Sequence, residues 1–258
     1  MKQYHFISGL PRSGSTLLSS ILLQNPRFHA GITSLLLPYA RSVIESGNSE
    51  NKGEFNKEQI KRIFKATFDA YYADIEKPVV FDTNRLWTNL LPQVNDCYPN
   101  AKVICCVRDI NSIIDSFERL HQKNPYSISS VFPSPHDMHV YSRTAHLMSD
   151  VGIVKIAYDS LKSAICGINS EMLFLIEYDI LCQNPAGVIK SLYNFIGEPH
   201  FNHDFDNVEI SFDEYDEGLN MPGLHKTKRK VEWTQKKLIT PPDIQDKFQD
   251  MEVWRALR

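Results

Sequence analysis

Long apolar runs are missing from this chain of 258 residues. None approaches the roughly 18 consecutive apolar residues of a membrane-spanning helix, so no membrane partner is expected. The start, Met1-Lys2-Gln3-Tyr4-His5-Phe6-Ile7-Ser8, has an apolar run of a few residues that stops at Pro11-Arg12, unlike a secretory leader. Metal-ligand spacing is missing too. Cys97, Cys105, Cys106, Cys166 and Cys182 are odd in number and scattered, which excludes a disulfide framework and leaves no metal site to expect. They read as reduced core thiols in a reducing compartment, and the cytoplasm is the expected location. An excess of positive charge is also absent. Lys and Arg number 28 against 31 Asp and Glu, a net charge of −3, which argues against a nucleic-acid partner. That balance is the mean of two sorted stretches. Residues 198–217 carry eight acids and no Lys or Arg, whereas residues 224–237 carry six Lys/Arg and one Glu.

Strand and helix signals alternate through the first 200 residues. Tyr4 to Ser8, Pro78 to Asp82, Lys102 to Val107 and Met172 to Tyr178 read as short buried strands. Between and after them, helices are predicted over Ser15–Gln24, Glu58–Ala73, Leu86–Cys97, Asp109–Leu120, Met138–Cys166 and Pro185–Ile196, with a last one over Pro242–Leu257. Pro125 to Pro135 is rich in Ser and Pro and reads as a loop. Strands separated by helices imply an α/β fold, a parallel sheet flanked by helices. No internal repeat or linker divides the chain. One domain over 1–258 is expected, with helical insertions at about 33–75 and 122–166 and a basic closing segment at about 218–240.

The strongest local signal is Gly9-Leu10-Pro11-Arg12-Ser13-Gly14-Ser15-Thr16, placed after a strand and before a helix. Its glycine spacing is that of the phosphate-binding loop GxxxxGK[ST], whose inward N–H groups and following helix N-terminus cradle an anion. Ser15 stands where that pattern has Lys, and the cation sits inside the loop at Arg12. An Arg fork suits a phosphate or sulfate group. Ser13, Gly14, Ser15 and Thr16 complete the cradle. A second anion site, distinct from the first, is expected from Arg108 at the end of the third strand with Ser116 eight residues on. Strand ends of an open parallel sheet line one crevice.

Together these residues resemble a family. Phe6-Ile7-Ser8-Gly9-Leu10-Pro11-Arg12-Ser13-Gly14-Ser15-Thr16 is similar to the 5′-phosphosulfate loop of sulfotransferases that use 3′-phosphoadenylyl sulfate (PAPS). Val107-Arg108-Asp109 with Ser116 resembles that family's 3′-phosphate motif. Glu177-Tyr178-Asp179-Ile180-Leu181, Asn184-Pro185 and Phe195-Ile196-Gly197 follow in the family's order. The resemblance spans roughly residues 4–200. It implies a P-loop NTPase-like sulfotransferase fold, PAPS as donor, adenosine 3′,5′-bisphosphate (PAP) as product, and transfer of a sulfuryl group to a hydroxyl or amine of a small-molecule or peptide acceptor. Residue by residue it implies Arg12 to Thr16 on the 5′-phosphosulfate and Arg108 and Ser116 on the 3′-phosphate. Tyr178 matches a tyrosine near the nucleotide in the branch that sulfates protein tyrosines. Gly223 to Lys230 is the candidate closing loop, with Lys226 as its nucleotide contact.

The base that takes the acceptor's proton departs from the family pattern. Where the protein-tyrosine branch has Glu, Gly31-Ile32-Thr33-Ser34 has no acid, and where cytosolic members have His this chain is close to Asn84. Asp82, at the end of the second strand, is the first choice, because a carboxylate beside a hydroxyl serves once burial raises its pKa. His29 is the second. Arg12 stabilises the leaving phosphate, and Asn84 and Arg85 are the candidate acceptor contacts. The acidic stretch is not expected to meet the donor, but to keep the closing segment soluble or paired when the site is empty. Two other readings stand beside this one: a kinase or phosphotransferase with an altered loop, and a nucleotide-binding module without catalysis.

Overall fold

The structure is a computed structural model that describes residues 2–48, 56–126, 129, 131–132, 139–208, 210 and 212–257. Five strands form one fully parallel sheet: β1 (Gln3–Gly9), β2 (Phe28–Ala30), β3 (Val79–Thr83), β4 (Val103–Val107) and β5 (Leu173–Glu177), ordered β2-β3-β1-β4-β5. All four expected strands are present. The additional one, β2, is three residues long and lies at the sheet edge beside β3.

The strands are apolar because both faces are covered. Alternate residues serve opposite layers. Phe6, Val80 and Cys105 join Phe64, Phe68, Trp87 and Phe117 on one face. Ile7, Phe81 and Cys106 join Leu18, Ile21 and Leu192 on the other. The adjacent thiols Cys105 and Cys106 therefore belong to two different cores, and burial pushes both up in pKa.

The helices follow in chain order. α1 (Ser15–Leu22) leaves the loop after β1. α2 (Leu36–Asn48) and α3 (Lys57–Tyr71) lie in the first expected insertion, and Asn56 caps α3 through a reciprocal pair with Gln59. A 3₁₀ turn, Trp87–Leu90, precedes α4 (Leu91–Cys97), so the interior Pro92 falls in that helix's first turn, where its missing N–H is harmless. Asp109 caps α5 (Ile110–Lys123), its carboxylate accepting from the Ser112 N–H at 2.7 Å.

The single long helix expected at 138–166 is two, α6 (Val140–Leu147) and α7 (Ile153–Ile165), separated by a turn. Gly152 allows the break, since a Cβ there would collide with the carbonyls of His146 and Leu147. Met138 and most of the expected loop at 125–135 lie outside the described residues.

Tyr178, expected to end a strand, instead starts α8 (Tyr178–Gln183). α9 (Pro185–Ile196) begins at Pro and ends at Gly197, as expected. α10 (Asp213–Gly218) falls within the acidic stretch. The expected last helix is α11 (Pro242–Lys247) followed by a separate 3₁₀ turn, Val253–Leu257. Among the described residues no helix is long and apolar enough to cross a membrane.

Candidate functional site

The C-terminal ends of β1, β3, β4 and β5 open onto one cavity of about 580 Å³. The sheet order produces this convergence. β1 is central, so the loop after it is flanked by Asn84 and Arg85 after β3 and by Arg108 after β4, with Tyr178 after β5 beyond. Gly14 caps α1 with φ +91°, a conformation that suits glycine. A Cβ on Gly14 would lie 2.7 Å from the Tyr178 ring, so the loop and that ring are in close contact. Tyr178 in turn carries the Arg108 guanidinium 4.3 Å above its ring centre.

Arg12, Gly14, Ser15 and Thr16 line the cavity. Ser13 does not. It is fully buried, and its hydroxyl donates to the Pro11 carbonyl at 3.3 Å. The two anion sites expected as distinct are in contact. Arg12 Nε donates to Ser116 Oγ at 3.1 Å, and Arg108 Nη1 donates to the Arg12 carbonyl at 3.4 Å. Burial and then the neighbouring Arg108 pull the Arg12 guanidinium down to about 10, which leaves it charged at neutral pH.

Arg85, Lys226, Lys228, Lys230 and Lys236 also face the cavity, and Glu232 is the one carboxylate among the described lining residues. Arg85 is exposed and lines the cavity wall. The surrounding protein still lowers its pKa by burial. A second cavity of about 540 Å³ meets the first at Asn84, Arg85 and Ile153, and its walls include Leu37, Pro38 and Ile156.

Both bases expected from the sequence lie outside this cavity. Asp82 is fully buried, and its two oxygens accept from Tyr72 Oη and Trp87 Nε1, each at 2.6 Å. Burial does raise its carboxyl, as anticipated. The strand, however, turns that side chain into the core, and Thr83, its neighbour on the opposite face, meets the cavity instead. His29 is half-buried against Tyr72, with ring centres 5.5 Å apart, and burial lowers its pKa. Ile32, Thr33 and Asn84, the positions that lack a family base, do line the cavity.

The late segment contributes what the sequence reading missed. Arg12 Nη1 donates to the Leu224 carbonyl, which ties the phosphate-type loop to the next residue, His225. His225 lines the cavity, and its Nδ1 lies 2.6 Å from Asp216 Oδ1. Its backbone N–H donates to the other Asp216 oxygen at 2.8 Å. Asp216 is 1% exposed and His225 19%. The acidic and basic stretches thus pair, as expected, but they do so at the site. The usable signal was one His at the head of the basic run, following a run of acids.

Solved structures share this architecture. The sulfotransferase domain from the curacin biosynthetic pathway matches with a TM-score of 0.54 at 17% identity, over 78% of this chain and 76% of that one. The sulfotransferase from Alicyclobacillus acidocaldarius matches at 0.54 and 15% identity, over 84% and 89%. Retinol dehydratase in complex with androsterone and inactive cofactor PAP matches at 0.53 and 13%, over 96% and 79%. These likenesses define the fold, the P-loop-like α/β fold of sulfotransferases. In sequence, residues 5–203 match the sulfotransferase family, and the chain belongs to that family. A curated relative, nodulation protein NoeE of Sinorhizobium fredii (strain NBRC 101917 / NGR234), is 29% identical over 128 residues, which is 44% of this chain and 30% of that protein. The match thus spans less than a third of that relative's length.

Proposed function

We propose that this protein is a sulfotransferase that takes PAPS as donor and moves its sulfuryl group to a hydroxyl or amine of a small-molecule or peptide acceptor. The observation that carries this is the cavity where the loop after β1 meets seven cationic side chains. The residues fit a ligand with several negative charges. Arg108 Nε is buried without a hydrogen-bond partner among the described residues, and Arg12 and Arg108 stand close enough to oppose each other's charge. An anion between them relieves that repulsion. A neighbour of the same fold, retinol dehydratase, was solved with PAP.

Bound PAPS supplies a sulfuryl group already activated on a phosphate leaving oxygen. Arg12 and the N–H groups of residues 13–16 hold the 5′ end and stabilise the charge that develops on leaving. Arg108, Tyr178 and Ser116 hold the rest of the nucleotide, with Ser116 also orienting Arg12. Asn84 and Arg85, where the two cavities meet, position the acceptor. The chain works as one sulfotransferase unit, and the segment at about 218–240 closes over the nucleotide through Lys226 and its neighbours. Cys97, Cys105, Cys106 and Cys182 are buried as expected of core thiols, whereas Cys166 is exposed, and five free thiols suit the reducing cytoplasm.

Thermal shift tests the donor reading. PAP without Mg²⁺ is expected to raise the unfolding midpoint of the wild type, and Arg12→Ala to weaken PAP about 100-fold. Stabilisation by ATP with Mg²⁺ and none by PAP would favour a phosphotransferase and defeat this reading.

A further inference from the structure

The geometry points to His225, oriented by Asp216, as the general base that deprotonates the acceptor. This inference rests on the sulfotransferase reading above. It starts from the cavity wall, where few groups can accept a proton. The lysines and arginines are cations. Glu232 is paired with Lys228 at 2.8 Å, which lowers its pKa and weakens it as a base. Burial pushes the Cys182 thiol up, and pushes the Tyr178 phenol up to about 12. Tyr215 lines the cavity as a phenol packed edge-on against His225, and among the described lining residues His225 is the one that offers an imidazole lone pair.

Its surroundings determine which nitrogen is free. Asp216 is a buried carboxylate, so its short contact to Nδ1 places the proton on Nδ1. Nε2 is then an acceptor, and no hydrogen-bond partner holds it among the described residues. The backbone bond from the His225 N–H to the second Asp216 oxygen fixes the ring's root. Tyr215 braces the ring edge-on, with centres 5.4 Å apart. The contact from Arg12 to Leu224 anchors this assembly over the loop that holds the leaving phosphate.

The groups facing His225 are Asp216 and Tyr215 from α10, Arg12 from the loop and Arg85 from the end of β3. Burial lowers its pKa below the ordinary value, Asp216 raises it, and Arg12 and Arg85 lower it again. The net shift is downward, which favours the neutral imidazole that can accept a proton.

In the step itself, Nε2 takes the proton of the acceptor hydroxyl while that oxygen forms the new bond to sulfur. The bond from sulfur to the donor's phosphate oxygen breaks, and its electron pair stays on that oxygen beside Arg12. His225 ends as an imidazolium paired with Asp216. Asp216 is a positioning residue: it sets the tautomer and steadies that charge.

The test separates this role from a purely structural tie. His225→Asn keeps a donor for Asp216 and removes Nε2. ¹⁵N-histidine NMR of the ligand-free wild type is expected to show the Nδ1–H tautomer at pH 7 and an imidazole pKa below 6.5. Asp216→Asn should turn the ring to the Nε2–H tautomer and lower its pKa further. Sulfate transfer from labelled PAPS to water and to phenol, the two probe acceptors, should fall about 10²- to 10⁴-fold in His225→Asn. Its PAP affinity should stay within threefold of wild type. An Nε2–H tautomer in the wild type, or His225→Asn turning over within threefold of wild type, overturns the assignment and leaves the donor reading standing. A wild type that neither binds PAP nor consumes PAPS overturns both.

Discussion

Asp82 and Asp216 are both buried carboxylates held by hydrogen bonds, yet they sit in opposite kinds of region. Asp82 stands at the end of β3, where Tyr72 and Trp87 fill both its oxygens and lead only to the core. Asp216 stands on α10, in a short helix with few apolar residues, and its partner is a titratable ring on the cavity wall. Burial and a strand-end position favoured the first. What separates them is the partner: a carboxylate bonded to a tyrosine and a tryptophan holds a fold together, whereas one bonded to a histidine can direct proton transfer.

The comparison breaks most visibly in turnover. Asp216→Asn is expected to cut PAPS consumption by at least about 10²-fold, and Asp82→Asn to leave it within twofold. Equal losses in the two would erase the distinction. Stability should show the reverse. Asp82→Ala leaves the Tyr72 hydroxyl and the Trp87 N–H without partners, and urea unfolding should register a loss of about 3 kcal/mol with PAP affinity unchanged.

A smaller effect lies in acid titration. Burial raises the folded-state pKa of Asp82 above its unfolded value. Its contribution is therefore most favourable below the unfolded pKa and declines as pH rises through the raised folded value. Asp82→Asn should flatten the stability curve in that window, which midpoints recorded across acidic pH would reveal. The smallest effect concerns Lys226, which lines the cavity beside His225. Lys226→Ala should weaken PAP only about threefold at low salt and less at high salt, because a cation at a solvated edge is screened.

Much of the sheet and the loop could be read from the sequence because their signals are local. Arg12 and Gly14 lie in one eight-residue stretch, and each buried strand is a continuous apolar run. β2 escaped notice because three residues carry no period. The break between α6 and α7 escaped because one glycine in an apolar pattern does not by itself end a helix. The two bases fared worse for a geometric reason. Successive side chains of a strand point to opposite faces, so the face that Asp82 takes at the end of its strand is not set by its residue type. The pairing of His225 with Asp216 depends on a turn, closed by the Met221 N–H donating to the Asp216 carbonyl, in a segment without hydrophobic periodicity.

Arg12 holds a left-handed backbone, φ +58°, which an arginine adopts at some cost. Its position answers to two masters. Glycine or asparagine would relax the turn but remove the guanidinium, and lysine would keep the charge but lose the planar fork. Stability and activity therefore trade off at this single codon. On the sulfotransferase reading, the residue whose fork would face the donor's anion is also the one whose backbone the turn strains.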